Sequence, residues 1–227
     1  MMVELTGIPG AGKSTVLQRL KLLHESESFI FDIQNYMLRR TFLPLKGKVG
    51  YELLLFSRMF LLKSEDWYLL KYVLGLIKKS GNSFLHKINI LRNTCKKLII
   101  YRYVKERDEV FFIDEGVAHI PFTIFVDITT DINCDELKVL LSQIPSVEAL
   151  LTIDAPDNIL LKRVLERGKK GHRRIDFDSM ENMESFMQQS REVLNYIQSH
   201  FSGYNYQNIE KDIDTKKIIN ELGLKHV

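Results

Sequence analysis

The chain has 227 residues, 45% hydrophobic and 27% charged, with 32 Lys and Arg against 29 Asp and Glu for a net charge of +3. That hydrophobic content excludes intrinsic disorder, and a chain this long buries roughly 70–75% of the surface its unfolded form exposes, enough for one core. Two cysteines far apart in sequence, Cys95 and Cys134, exclude a disulfide scaffold and a four-cysteine zinc site and suit a reducing compartment.

The opening M-M-V-E-L-T-G carries no basic leader or secretory apolar stretch, and the apolar run over residues 53–62 is broken by Ser57 and Arg58. The expectation is a soluble, cytoplasmic protein without a transmembrane segment. Residues 3–6 read as a short apolar strand, and residues 13–23 place Val16, Leu17, Leu20 and Leu23 at helical spacing. F-I-F-D-I over 29–33 is the second strand. From 35 to 107 the pattern is helical, punctuated by Pro44, Gly47, Gly50, Ser80 and Gly81. V-F-F-I over 110–113 has the continuous apolar character of a central parallel strand. A-L-L-T-I over 149–153 is the fourth strand, followed by D-A-P and a helix over 157–167. A long helix over 179–200, a fifth strand over 204–209 and a closing helix over 214–222 complete the chain, with Asp214 as N-cap and Gly223 as stop.

Strands alternating with helices predict an α/β fold, a parallel sheet with helices on both faces. The helical stretch between strands two and three is too long for a simple crossover. The predicted organisation is a three-layer core of residues 1–34 and 108–227 around a five-stranded parallel sheet, with a helical, substrate-side insert over 35–107.

Gly7-Ile8-Pro9-Gly10-Ala11-Gly12-Lys13-Ser14-Thr15 matches G-x-x-x-x-G-K-[ST] at every fixed position. The pattern arises by chance in a chain of this length about once in a hundred, and requiring a strand before it and a helix after it makes chance far rarer. Glycines let backbone N–H groups close around phosphates, and the following helix N-terminus favours the anion. Gly7, Pro9, Gly10, Ala11, Gly12, Lys13, Ser14 and Thr15 are therefore the expected nucleotide cradle. Lys13 is expected to reach the β/γ-phosphates and the Ser14 hydroxyl to ligate Mg²⁺.

V-F-F-I-Asp114-Glu115-Gly116 is an apolar strand ending in carboxylates. Asp114 fits the acid that holds Mg²⁺ through water in phosphate-loop proteins, or else caps the next helix. Glu115 either polarises an attacking hydroxyl or serves as an ion-pair partner. Asp32 has two readings, a base that takes the acceptor hydroxyl's proton or an N-cap for the helix that begins near Asn35.

G-I-P-G-A-G-K-S-T, V-F-F-I-D-E-G and L-T-I-D-A-P-D-N-I-L-L-K-R-V-L-E-R-G together resemble the nucleoside and nucleotide kinase branch of P-loop proteins, including thymidylate kinases and deoxynucleoside kinases. The resemblance covers about a third of the chain. It implies that residues 163–178 form a lid in which Arg163 and Arg167, four apart on one helix face, meet phosphate oxygens, with Arg173 and Arg174 continuing it. It also implies that Asn208, after the fifth strand, lies in the loop that wraps adenine. The sequence departs from the deoxynucleoside kinases where they carry Glu-Pro after strand two and an acid-Arg-Ser after strand three. Here Asp32-Ile33-Gln34 and Asp114-Glu115-Gly116 stand instead, and thymidylate kinase substrate signatures are not evident, so no substrate carries over. D-E-G also resembles kinase-like proteins encoded among bacterial surface-polysaccharide genes.

The expected function is an ATP- and Mg²⁺-dependent phosphotransferase acting on a hydroxyl- or phosphate-bearing small molecule, nucleoside-like or polysaccharide-related. A nucleotide-driven switch or ATPase is the alternative, although no N-K-x-D, no L-S-G-G-Q and no second helical domain of AAA+ size is present. A nucleic-acid kinase is a further alternative, motivated by seven Lys or Arg against one Glu over 162–174. Those residues coincide with the expected lid, so nucleic acid is not an expected partner, and a homodimer is left open. In the insert, Arg39, Arg40, Arg58 and Arg92 are candidates for holding an anionic acceptor or else surface residues. Tyr51, Phe56, Phe60, Trp67, Tyr68 and Tyr72 are an acceptor pocket, helix–helix core, or an amphipathic membrane face.

Overall fold

Five short strands pair in parallel: β1 (Met2–Thr6), β2 (Phe29–Ile30), β3 (Val110–Asp114), β4 (Ala149–Asp154) and β5 (Gly203–Gln207), in spatial order β2-β3-β1-β4-β5. The computed structural model describes residues 1–23, 29–40, 47–80, 83–126, 132–168, 180–207 and 214–224. β1 is central and buried at all five positions, which is why it reads as a near-continuous apolar run. Its register aligns Leu5 with Asp114 of β3 and with Leu151 of β4. The carboxyl ends of the three middle strands therefore emerge side by side. The order reverses at β1, and such a switch point opens a crevice at the strand ends.

α1 (Lys13–Leu23) follows β1 and buries Val16 and Leu20 against the sheet, whereas Leu23, expected on the same face, is exposed. β2 is shorter than the strand predicted over 29–33, pairing only Phe29 and Ile30 with Val110 and Phe111. The chain turns away because Asp32 caps α2 (Ile33–Arg39), its carboxylate accepting from the Asn35 N–H at 3.0 Å. The released Phe31 stacks on Phe112 at 4.8 Å.

The insert contains α2, α3 (Gly47–Ser57), α4 (Ser64–Lys79) and α5 (Phe84–Lys105). Gly50, predicted as punctuation, is buried within α3, while Ser80 does end α4. α4 and α5 are clamped by Asp66, almost wholly buried, which receives Arg102 Nε at 2.7 Å and Nη2 at 2.8 Å. The same carboxylate accepts the Lys63 N–H that begins α4. Burial of a bidentate pair with its oxygens satisfied holds two helices in one register.

After β3 come a short 3₁₀ turn (Val117–His119), α6 (Ile120–Phe125) and α7 (Cys134–Gln143), elements the sequence patterns did not isolate. α8 (Asp157–Gly168), α9 (Met180–His200), β5 and α10 (Thr215–Glu221) follow the predicted order. Asp214 caps α10 as expected, and Gly223 follows it with φ +71°. β5 pairs over Gly203–Gln207, one residue earlier than predicted at its start. Among the described residues, no helix is long and apolar enough to cross a membrane.

Candidate functional site

The loop between β1 and α1 wraps back on itself, Ala11 N donating to Ile8 O at 3.1 Å and Thr15 and Val16 N to Gly12 O at 3.0 Å. Gly7 has φ +148°, and a Cβ there would lie 1.9 Å from the carbonyl oxygen of Ile153 on β4. Only glycine fits, because both obstacles are backbone. Gly10 and Gly12 also have positive φ, at +93° and +91°. The loop is bounded by main chain and by the N-terminus of α1, a surface whose shape and polarity suit a phosphate group.

Lys13 is buried and donates to Gly7 O at 3.0 Å, with Glu115 Oε1 3.4 Å from its ammonium. Glu115 sits at φ +57°, a left-handed conformation uncommon outside glycine. Its N–H is held by Leu5 O at 3.0 Å, which ties the strained residue to β1. His119 approaches the same carboxylate at 3.6 Å through Nε2, and its Nδ1 lies 3.1 Å from Thr6 Oγ1. Thus Lys13, Glu115, His119 and Thr6 form one polar cluster between the loop and the end of β3.

Ser14 and Asp114 are both exposed, and both line one cleft of about 770 Å³ between the sheet's carboxyl edge and the insert. Glu4, Asp32, Gln34, Lys97, Glu115 and Tyr51 line it as well. A serine hydroxyl and a carboxylate are hard oxygen donors suited to Mg²⁺, which takes few protein ligands and completes its shell with phosphate and water. Among the described residues, no group of three or more His, Cys, Asp or Glu forms a metal cage. The cradle and the donor pair fit a nucleotide phosphate with Mg²⁺.

Asp32 combines its two sequence readings. It lines the cleft, yet both of its oxygens are engaged by Asn35, at 3.0 Å to the backbone N and 2.6 Å to Nδ2. Arg163 lies on α8 against the loop, its Nη1 reaching Gly10 O at 3.3 Å and Ala11 O at 3.4 Å. Arg167 lies one turn further on the same helix. Arg173, Arg174 and Asn208 lie outside the described residues.

The insert's candidates divide. Tyr51 is buried and lines the cleft, Tyr72 donates to Glu136 O at 3.2 Å, and Phe56, Phe60, Trp67 and Tyr68 are exposed. None of Arg39, Arg40, Arg58 or Arg92 lines the cleft. Arg40 pairs with Glu109 at 3.0 Å, and Arg58 stacks over Tyr103 at 4.4 Å.

The sequence reading missed four residues. Glu4, buried in mid-strand, accepts the N–H groups of Val117 and Ala118 at 2.9 and 2.8 Å, and burial pushes its carboxyl up to about 7. Gly116 is required beside it, since a Cβ there would lie 2.3 Å from the Glu4 carboxyl carbon. Lys97 on α5 lines the cleft, and burial lowers its ammonium to about 8 against the opposing pull of Glu115 and Glu4. Arg191 on α9 ties down the D-A-P turn through Asp154, at 2.9 Å, and Asp157. A charged residue inside an apolar strand was the available signal for Glu4. Lys97 sat in a Lys-Lys pair that reads as solvated, and Arg191 had no local signal.

No protein-family model matches the chain, and no curated protein is similar to it in sequence. Among solved structures, a deoxyadenosine kinase from M. mycoides, with the products dCMP and a flexible dCDP bound, superposes with TM-score 0.51 at 15% identity. The match covers 98% of this chain and 99% of that one. The chain therefore shares the fold of that kinase, a five-stranded parallel sheet flanked by helices. A shikimate kinase from Acinetobacter baumannii, in complex with shikimate, superposes with TM-score 0.40 at 15% identity over 100% of this chain and 95% of that one.

Proposed function

We propose that the protein is a small-molecule kinase that transfers the γ-phosphate of ATP, with Mg²⁺, to a hydroxyl- or phosphate-bearing acceptor in the cleft between the sheet and the insert. One observation carries the reading: a loop that only glycine can close at Gly7 opens, through Ser14 and Asp114, into a cleft of about 770 Å³ edged by further carboxylates. The kinase fold of the M. mycoides neighbour supports it at the level of architecture.

Within this reading the main-chain N–H groups of Gly7 to Thr15 hold the phosphates, and Lys13 exchanges Gly7 O and Glu115 for β- and γ-oxygens. Ser14 and Asp114 are the metal-holding residues. Held there, Mg²⁺ would neutralise phosphate charge. Arg163 brings its guanidinium over the loop from the α8 side, Arg167 follows one turn along the same helix as a second lid cation, and Asn208 is assigned to adenine by the family resemblance alone. Glu115, released from Lys13, takes the proton of the acceptor hydroxyl, while Asp32, already committed to Asn35, orients that hydroxyl. The new bond joins acceptor oxygen to phosphorus, the bond from the γ-phosphorus to its bridging oxygen breaks, and ADP leaves.

The test is a γ-phosphate transfer screen over nucleosides, nucleotides, sugars and lipid carriers, with ATP hydrolysis as control. Transfer to one class supports the kinase. Hydrolysis alone supports the ATPase or switch instead, and tight binding of a duplex or single strand at physiological salt supports the nucleic-acid alternative.

A further inference from the structure

The charges around the cleft do not balance once a nucleotide is bound. Glu4, Asp114 and Glu115 line one side of the cleft, and Lys13 pairs with Glu115 at 3.4 Å. A triphosphate takes Lys13 for itself, which leaves Glu115 next to a γ-phosphoryl group of the same sign. Arg163 approaches from α8, which follows β4, whereas Glu115 stands at the end of β3, on the opposite side of β1. The segment Asp114-Glu115-Gly116 itself supplies no cation on that side.

α5 supplies one. Asn93, Lys96, Lys97, Ile100 and Tyr101 form the helix face that walls the cleft. Lys96 is engaged, 3.9 Å from Glu52 and 4.7 Å over the Tyr51 ring. Lys97 makes no hydrogen bond or ion pair with any described residue. Its strongest charge neighbours are Glu115, Glu4, Lys13 and Asp114, all of them at the phosphate loop or the strand end beside it. A partly buried ammonium without a partner among the described residues, on the wall of a cleft that three carboxylates also line, is placed for an anion that arrives with the ligand.

We propose that Lys97 binds the γ-phosphoryl group from the acceptor side, opposite Arg163, and offsets Glu115 when the triphosphate displaces that carboxylate from Lys13. The inference rests on the nucleotide reading of the loop, but it does not depend on which acceptor is used.

The test compares Mg²⁺-ADP with its β,γ-imido triphosphate analogue, two ligands that differ by the γ-phosphoryl group, by titration calorimetry on the full chain. In the wild type the analogue binds more tightly than ADP. In Lys97→Met the ADP affinity stays within about twofold while the preference for the analogue falls about tenfold or more, the size expected for a lost charge-assisted hydrogen bond. Lys97→Arg restores most of the preference. If Lys97→Met keeps the wild-type preference, Lys97 does not touch the γ-phosphoryl group and the inference fails. Equal weakening of both ligands also overturns it, because the side chain is then structural. Lys97→Gln, which keeps a polar head group, provides the same comparison should Lys97→Met not fold. Failure of the wild type to bind either ligand is a separate result, which removes the nucleotide reading and this inference with it.

Discussion

Lys13 stands where the charges of the site meet, paired with Gly7 O and Glu115. On the proposed function ATP and Mg²⁺ raise the melting temperature of the wild type, and Lys13→Ala is expected to lose that shift, as read by thermal denaturation with and without ligand. Gly7 is bound more tightly still by geometry, because a methyl there meets a β4 carbonyl at 1.9 Å. Glu4 and Gly116 make a second residue-scale unit that steadies the turn after Asp114. In Gly116→Ala the new methyl displaces the Glu4 carboxyl, at a cost of about 1–3 kcal/mol in denaturant unfolding. Glu4 also gives a pH prediction. Its value rises from 4.5 to about 7 in the folded chain, so folding takes up a proton between those values and the stability this group contributes falls as pH rises through that window. Glu4→Gln removes the titration. The melting temperature of Glu4→Gln minus that of the wild type should therefore climb between pH 5 and pH 8, and a flat difference would show that Glu4 does not titrate there.

At the scale of elements, α5 does two jobs with opposite faces. One face carries Lys96 and Lys97 to the cleft, and another holds α4 through Arg102 and the buried Asp66. Arg102→Met strands a buried carboxylate, so a loss of about 3–5 kcal/mol is expected in urea unfolding, with part of it recovered in the double variant Asp66→Leu, Arg102→Met. α2 depends on its cap. Asp32→Asn keeps an oxygen for the Asn35 N–H, so stability should change little, whereas turnover should drop without a matching loss of ATP affinity if the carboxylate acts on the acceptor. Full activity in that variant would leave Asp32 with the cap alone.

Across the whole molecule, a β2-β3-β1-β4-β5 order puts the phosphate loop, the acid after β3 and the D-A-P turn after β4 on one edge, and the insert closes the remaining side to make the cleft. Much of this was legible in the linear chain. The loop's glycines and the start of α1 announce their conformation because most of the requirement is local: positive φ and a helix start act within nine neighbouring residues, and only the approach of Gly7 to Ile153 is long-range. The apolar runs of β1, β3 and β4 were equally plain, since strands covered on both faces need no polar alternation. β2 was overestimated because a capping carboxylate three residues before Asn35 outweighed the apolar pattern. What folding alone decided was proximity. Glu4, Lys97 and Arg191 lie in three different elements, and nothing in their immediate neighbours says that β1, α5 and α9 will bring them to the same edge of the sheet as Asp114 and Asp154. Local steric and hydrogen-bond rules wrote the phosphate loop into the sequence. The cleft and the charges that line it arise from long-range packing, which sets distances between residues that the chain itself keeps far apart.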